Sequence, residues 1–139
     1  MLTAEDIAAF REEMDASSKP PLTVPEMVEI FAETMRQEKN ITLGATLIDE
    51  EYNEWRDVNF SGLLYKEGDM AELKELADLV YVIYGYARAC GWDLDEAIRR
   101  VHRNNLDRCV QPDGSIKYRA DGKVIKRDNP PKIDLSDLV

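Results

Sequence analysis

Apolar and polar residues recur along most of the chain with the three- and four-residue spacing of amphipathic helices. Three helix starts carry a Thr or Asp followed three residues later by an acid, a pairing that caps the first turn. The capping pairs are Thr3 with Asp6, Thr23 with Glu26, and Asp93 with Glu96. The pattern predicts helices over residues 3–15, 25–38, 43–59, 69–90 and 93–107, and therefore an all-α fold.

The segments between and after these helices are short until the C-terminus. Residues 16–21 are predicted to be a linker, and residues 59–62 and the pair Cys90 and Gly91 are predicted to end helices. Beyond Pro112, two Asp-Gly pairs flank two short alternating stretches, 115–118 and 123–126, which indicate a small hairpin. We expect one domain over 1–139: a helix and linker (1–21), a helical core (22–110) and an extended or hairpin arm (111–139).

The fourth predicted helix is apolar on nearly every side after Asp78, over residues 79–84. A helix of this kind needs cover on more than one face. In a chain of 139 residues a second copy is the simplest cover. The sequence therefore predicts a homo-oligomer, either a homodimer or a homotetramer.

Acidic residues interrupt the apolar stripes of the third and fourth helices. Leu47, Glu51, Glu54 and Val58 follow 4-3-4 spacing and share one helix face. Ala71, Glu75, Asp78, Val82, Gly85 and Ala89 form a similar stripe. Because successive helices joined by a short loop pack antiparallel, the two acidic pairs are expected to meet.

Four carboxylates that face one another need positive charge, since a buried unpartnered carboxylate is costly or takes up a proton. Lys74 can reach Asp78 at i+4, but the stripes hold too few bases to neutralise four acids. A hard divalent cation with oxygen ligands solves the problem. We therefore expect Glu51, Glu54, Glu75 and Asp78 to hold a hard divalent cation such as Mg²⁺.

Composition and charge exclude several classes of function and of metal site. The net charge of −10 argues against a nucleic-acid partner, and no stretch is long and apolar enough for a membrane span. The N-terminus is charged where a signal peptide would be apolar, which favours a cytoplasmic protein. Two cysteines without Cys-x-x-Cys spacing and a single histidine argue against a zinc site, and the absence of Glu-x-x-His argues against a di-iron bundle.

The residues Glu50-Glu51-Tyr-Asn-Glu54 and Glu75-Leu-Ala-Asp78 together resemble the signature of the MazG-like all-α NTP pyrophosphohydrolases. That superfamily includes phosphoribosyl-ATP pyrophosphohydrolase and dimeric dUTPases. The resemblance continues through Asn105 and Arg108, where family members usually carry lysine in place of the arginine, and into the Asp121-Gly122-Lys123 arm typical of short phage and bacterial members. It covers about residues 25–135.

The resemblance implies a MazG-like bundle of four to five helices and roles for further residues. Glu50, with Glu51 and Glu54, is placed among the catalytic acids, either outside the metal ligands or as the base that orients water. Asn105, Arg108, Lys123 and Lys126 are placed at the substrate, together with Lys74.

The activity that the resemblance implies is hydrolysis of a (d)NTP to the (d)NMP and pyrophosphate, with dGTP as the favoured substrate. It implies two or more Mg²⁺ ions per site, for which Mn²⁺ can substitute, and the cytoplasm of a bacterium or of a phage-infected host. Two alternatives stay open: a phosphoribosyl-ATP pyrophosphohydrolase, and a non-catalytic helical oligomerisation or adaptor module.

Overall fold

A computed structural model describes residues 1–16, 21–59 and 65–139 of the chain. Five helices dominate it: α1 (Ala4–Ala16), α2 (Val24–Thr34), α3 (Ile41–Asn59), α4 (Tyr65–Cys90) and α5 (Leu94–Cys109). Two short strands follow, β1 (Lys117–Tyr118) and β2 (Val124–Ile125), and then a 3-10 turn at Ser136–Leu138. The predicted all-α class is confirmed. Residues 17–20 of the predicted linker and residues 60–62 of the predicted break after α3 lie outside the described residues.

The three predicted caps form as the sequence indicates. The Thr3 hydroxyl accepts a hydrogen bond from the Asp6 amide at 3.1 Å, while the Thr3 amide donates to the Asp6 carboxylate at 2.7 Å. The Thr23 hydroxyl and the Asp93 carboxylate accept from the amides three residues ahead in the same way. Each cap satisfies an amide that has no partner inside its helix.

Helix α2 ends at Thr34, four residues before its predicted end at 38. Arg36 adopts a left-handed conformation (φ 53°), and its amide donates to the Glu33 carbonyl. The Gln37 amide donates to the Ala32 carbonyl at 2.8 Å. This is the hydrogen-bond pattern of a Schellman motif, which usually has glycine where this chain has arginine. The sequence therefore carried no visible stop signal.

The chain divides into two compact units, residues 1–91 and 92–139. A single domain over the whole chain stays a prediction. In the first unit, α3 and α4 pack along their lengths in opposite directions. Gly44 near the start of α3 lies against Tyr86 near the end of α4. At the other end, the Asn59 side chain donates to Glu72 at 2.9 Å. The predicted antiparallel pairing is thus present.

Helix α2 packs against α4. Phe31 and Tyr81 make an edge-to-face contact with ring centroids 5.8 Å apart, and Arg88 pairs with the Glu29 carboxylate. These contacts fix α2 at the C-terminal half of α4.

In the second unit, the chain after α5 forms the predicted hairpin, with strands of two residues each in place of the predicted four. Lys117 pairs with Ile125 and Tyr118 with Val124 in an antiparallel register. Gly122 takes a positive φ of 86° in the connecting turn, where Asp121 accepts from the Lys123 amide. Arg100 on α5 holds Asp137 through two hydrogen bonds of 2.5 and 2.8 Å, which attaches the last residues to the helix.

Candidate metal centre and its cavity

Three of the four predicted ligands converge. Carboxylate oxygens of Glu51 and Glu54 on α3 and of Glu75 on α4 all lie within 4.8 Å of one another. The i, i+3 spacing places the two α3 acids on one face, and the antiparallel packing of α3 with α4 brings Glu75 to them. The arrangement presents three oxygen donors to one point in space.

Two oxygens in this cluster lack a hydrogen-bond partner. The Oε2 atoms of Glu51 and Glu75 are buried and make no hydrogen bond within the described part of the chain. Buried acceptors without a donor are rare in folded proteins because each loses its hydration without replacement. A divalent cation supplies the missing partner for both, so these residues fit a metal ion.

Burial and the repulsion of neighbouring acids both act on the pKa of Glu51. Burial, followed by the neighbouring Glu54 carboxylate, raises the pKa of Glu51, and the charges of Asp78 and Glu75 raise the pKa further. The group thus holds more negative charge than its surroundings neutralise. A bound cation would reverse each of these effects.

Asp78 lies outside the trio. Its Oδ2 atom contacts the Lys74 ammonium at 2.6 Å, and the same ammonium lies 3.4 Å from Glu75 Oε1. The Asp78 charge nevertheless acts on Glu51. The fourth predicted ligand is therefore paired with a lysine.

A cavity of about 460 Å³ adjoins the acids. Such a volume falls in the range of about 300–1,000 Å³ usual for small-molecule sites. Its lining includes Glu51 and Asp78, and members of both predicted stripes: Leu47 on α3, and Val82, Gly85 and Ala89 on α4. The stripes that carry the acids thus also carry an apolar wall.

The cavity also contains residues that the sequence did not point to. Helix α2 contributes Val28, Phe31 and Ala32, and the segment after it contributes Gln37 and Asn40. The only signal for these positions was the apolar spacing of α2, which does not reveal which helix it packs against. Gln37 and Asn40 add polar groups to a mainly apolar lining.

The remaining predicted site residues have different surroundings. Glu50 is exposed on α3. Asn105, which is exposed, and Arg108, which is half-buried, lie on α5 in the second unit. Lys123 and Lys126 are exposed beside the hairpin strand β2. Their roles towards a substrate stay predictions.

Within the described residues, no helix combines the length and the apolar character that crossing a membrane requires. Residues 23–105 match the sequence model of a family described as phosphoribosyl-ATP pyrophosphohydrolase. That stretch includes all of the acidic cluster and every helix that lines the cavity. A search of curated proteins found no match.

Proposed function

Since the chain belongs to the phosphoribosyl-ATP pyrophosphohydrolase family, within the MazG-like superfamily, we propose that it hydrolyses a nucleoside triphosphate to the monophosphate and pyrophosphate. The observation that carries this proposal is the meeting of Glu51, Glu54 and Glu75 beside an apolar cavity. The acids suit a metal-bound polyphosphate, and the cavity wall suits an uncharged base and sugar.

Glu51, Glu54 and Glu75 would hold the first cation, with Asp78 as a further ligand, and two or more Mg²⁺ or Mn²⁺ ions are expected. Bound divalent cations neutralise phosphate charge and lower the pKa of a coordinated water towards neutrality. The residues position that chemistry: the carboxylates fix the place of the charge, and the apolar wall excludes water from the nucleoside side. Glu50 is a candidate to accept the proton released by the attacking water.

In the reaction, a water oxygen bonds to the α-phosphorus and the bond from that phosphorus to the bridging oxygen of the β-phosphate breaks. Pyrophosphate leaves, and one proton is released. Asn105, Arg108, Lys74, Lys123 and Lys126 are proposed to bind the substrate. Arg108 would neutralise the leaving group with a planar pair of donors where relatives use lysine. We expect a purine deoxynucleotide as substrate, with dGTP first, because the arm resembles that of short phage-type members.

A second candidate, hydrolysis of phosphoribosyl-ATP, is favoured by the family match over residues 23–105. Both reactions break the same kind of anhydride bond and need similar acids. The two substrates differ at the base, so direct comparison separates them. For either reaction, we propose that the protein is located in the cytoplasm.

The decisive experiment incubates the protein with each of the eight common NTPs and dNTPs, and with phosphoribosyl-ATP, in Mg²⁺ or Mn²⁺. Products are resolved by ion-exchange chromatography. Monophosphate and pyrophosphate from one or two nucleotides would support the proposal and name the base, whereas turnover of phosphoribosyl-ATP alone would favour the second candidate. Diphosphate with phosphate would mean that a different bond is cleaved.

The Glu54→Gln variant tests the acids. We expect turnover to fall about 100-fold or more, because a catalytic metal contributes several kcal/mol to transition-state stabilisation. Asp57→Asn, an exposed acid on the same helix, is the matched control and should keep wild-type activity. Full activity in Glu54→Gln would refute the assignment.

An adaptor without a metal site would show no rise in melting temperature with Mn²⁺.

An apolar stripe on α4 supports the proposed homodimer or homotetramer. Met70, Leu73, Ala77 and Val80 follow 3-4-3 spacing and are all exposed, Leu73 by 68% and Met70 by 61%. Of the described hydrophobic side chains, only Val28, Ala32 and Ala87 are buried. A second copy packed along this stripe would complete the core.

A further inference from the structure

Lys74 is the one basic residue that contacts the acids of the candidate metal centre within the described ranges. Its ammonium nitrogen lies 2.6 Å from Asp78 Oδ2 and 3.4 Å from Glu75 Oε1. Arg88, a cation of α4 that lines the adjoining cavity, pairs with Glu29. Among the described residues, Lys74 is thus the base in direct contact with two of the four acids.

The position of Asp78 shows what this contact does. The oxygens of Glu51, Glu54 and Glu75 converge within 4.8 Å without Asp78, whose carboxylate is turned to the lysine. Lys74 and Asp78 are one helical turn apart, so rotation of their side chains is enough to make or break the pair. An ammonium at Asp78 neutralises part of the carboxylate charge and repels a divalent cation, so the two compete for this residue.

We propose that Lys74 is an internal counter-ion that competes with a divalent cation for Asp78. The inference rests on the proposed metal site. A first cation binds Glu51, Glu54 and Glu75, where the ammonium makes only the longer contact, 3.4 Å to Glu75 Oε1. A second cation requires Asp78, binds more weakly because it must displace Lys74, and leaves the ammonium free to meet the phosphates of the substrate.

The size of the effect is bounded by the exposure of Lys74, whose side chain is 65% accessible to solvent. Ion pairs as exposed as this one are weak because solvent screens them, and they change an equilibrium constant by up to roughly fivefold. We therefore expect Lys74→Gln to tighten the weaker class of Mn²⁺ sites by up to roughly fivefold. Lys74→Arg, which can still hold Asp78, should remain close to the wild type.

Mn²⁺ titration of the full chain without substrate, by calorimetry or electron paramagnetic resonance, measures this directly. Lys39→Gln is the matched control, because Lys39 lines the cavity beside these acids but, within the described part of the chain, forms no ion pair with them. The change in Lys74→Gln must exceed that in Lys39→Gln, since both remove one positive charge. Equal changes in the two variants would overturn the inference.

A double-mutant cycle with Asp78→Asn isolates the pair. Asp78→Asn should abolish the weaker class of sites. In that background, the Mn²⁺ affinity of the tighter class should be the same whether the second substitution is Lys74→Gln or Lys39→Gln. An effect of Lys74→Gln that persists in the Asp78→Asn background would also overturn the inference. If the wild type binds no Mn²⁺ at all, the proposed metal site itself fails. Normal Mn²⁺ binding without the Lys74 effect rejects the counter-ion role alone.

Discussion

At the scale of single residues, the charged form of Glu51 is expected to destabilise the folded protein when no cation is bound. Burial and Glu54 raise its pKa. A carboxylate whose folded-state pKa is raised stabilises the fold below its ordinary pKa, and this contribution is lost as the pH rises through the raised value. We therefore expect Glu51→Gln to raise the melting temperature at pH 7.5 in the presence of EDTA, and this gain to shrink as the pH falls towards 4.

The same variant should behave in the opposite way with metal. Mn²⁺ is expected to raise the melting temperature of the wild type and to have little effect on Glu51→Gln, because the variant lacks a ligand. Asp49→Asn, an exposed acid on the same helix, is the control and should follow the wild type in both conditions. A Glu51→Gln variant that is less stable than the wild type in EDTA at pH 7.5 would contradict the argument.

At the scale of helices, two glycines on facing elements have different roles. A Cβ atom at Gly44 on α3 would lie 3.0 Å from Tyr86 Cδ2 and 3.4 Å from Tyr86 Cα. At Gly85 on α4 the nearest atom, Val28 Cγ1, would be at an ordinary 4.0 Å. Gly44 therefore sets how closely α3 approaches α4, whereas Gly85 leaves space in the cavity.

Substitutions at the two glycines should separate in stability. Gly85→Ala should raise the free energy of unfolding by roughly 0.5–1 kcal/mol, the usual gain for alanine inside a helix. Gly44→Val should lower it by about 1–3 kcal/mol, because the added methyl groups collide with Tyr86. Urea denaturation at one fixed protein concentration measures both. A Gly44→Val variant as stable as the wild type would show that the helices can move apart without cost.

At the scale of the whole molecule, the exposed stripe on α4 predicts assembly. Leu73 lies in the middle of the stripe and is 68% exposed. A charge there would be desolvated in an interface between two copies, so Leu73→Glu should convert an oligomer into monomers. Light scattering coupled to size-exclusion chromatography measures the mass.

Ile116→Glu provides the comparison for Leu73→Glu, because Ile116 is a similarly exposed apolar residue in the arm. This control should keep the wild-type mass. A wild-type chain that is monomeric at micromolar concentration would reject the assembly proposal and leave the stripe without a role in self-association. Equal loss of mass in both variants would place the interface elsewhere.

The sequence by itself determined the helices and the candidate ligands, because both depend on local rules. Capping pairs such as Thr23 with Glu26 satisfy helix amides within one turn, and i, i+3 spacing puts Glu51 beside Glu54 regardless of the rest of the fold. The end of α2 was wrong by four residues because it depends on Arg36 in a left-handed conformation, which the residue type does not favour.

The tertiary structure decided which side chains meet. Helical periodicity identifies a buried face but not the element it contacts, so the contribution of α2 to the cavity and the approach of Gly44 to Tyr86 became visible only in the packed unit. The division of the acids into a converging trio and an Asp78 held by Lys74 likewise depends on side-chain rotation within one face. Spacing places all four acids together, and only their three-dimensional contacts separate them.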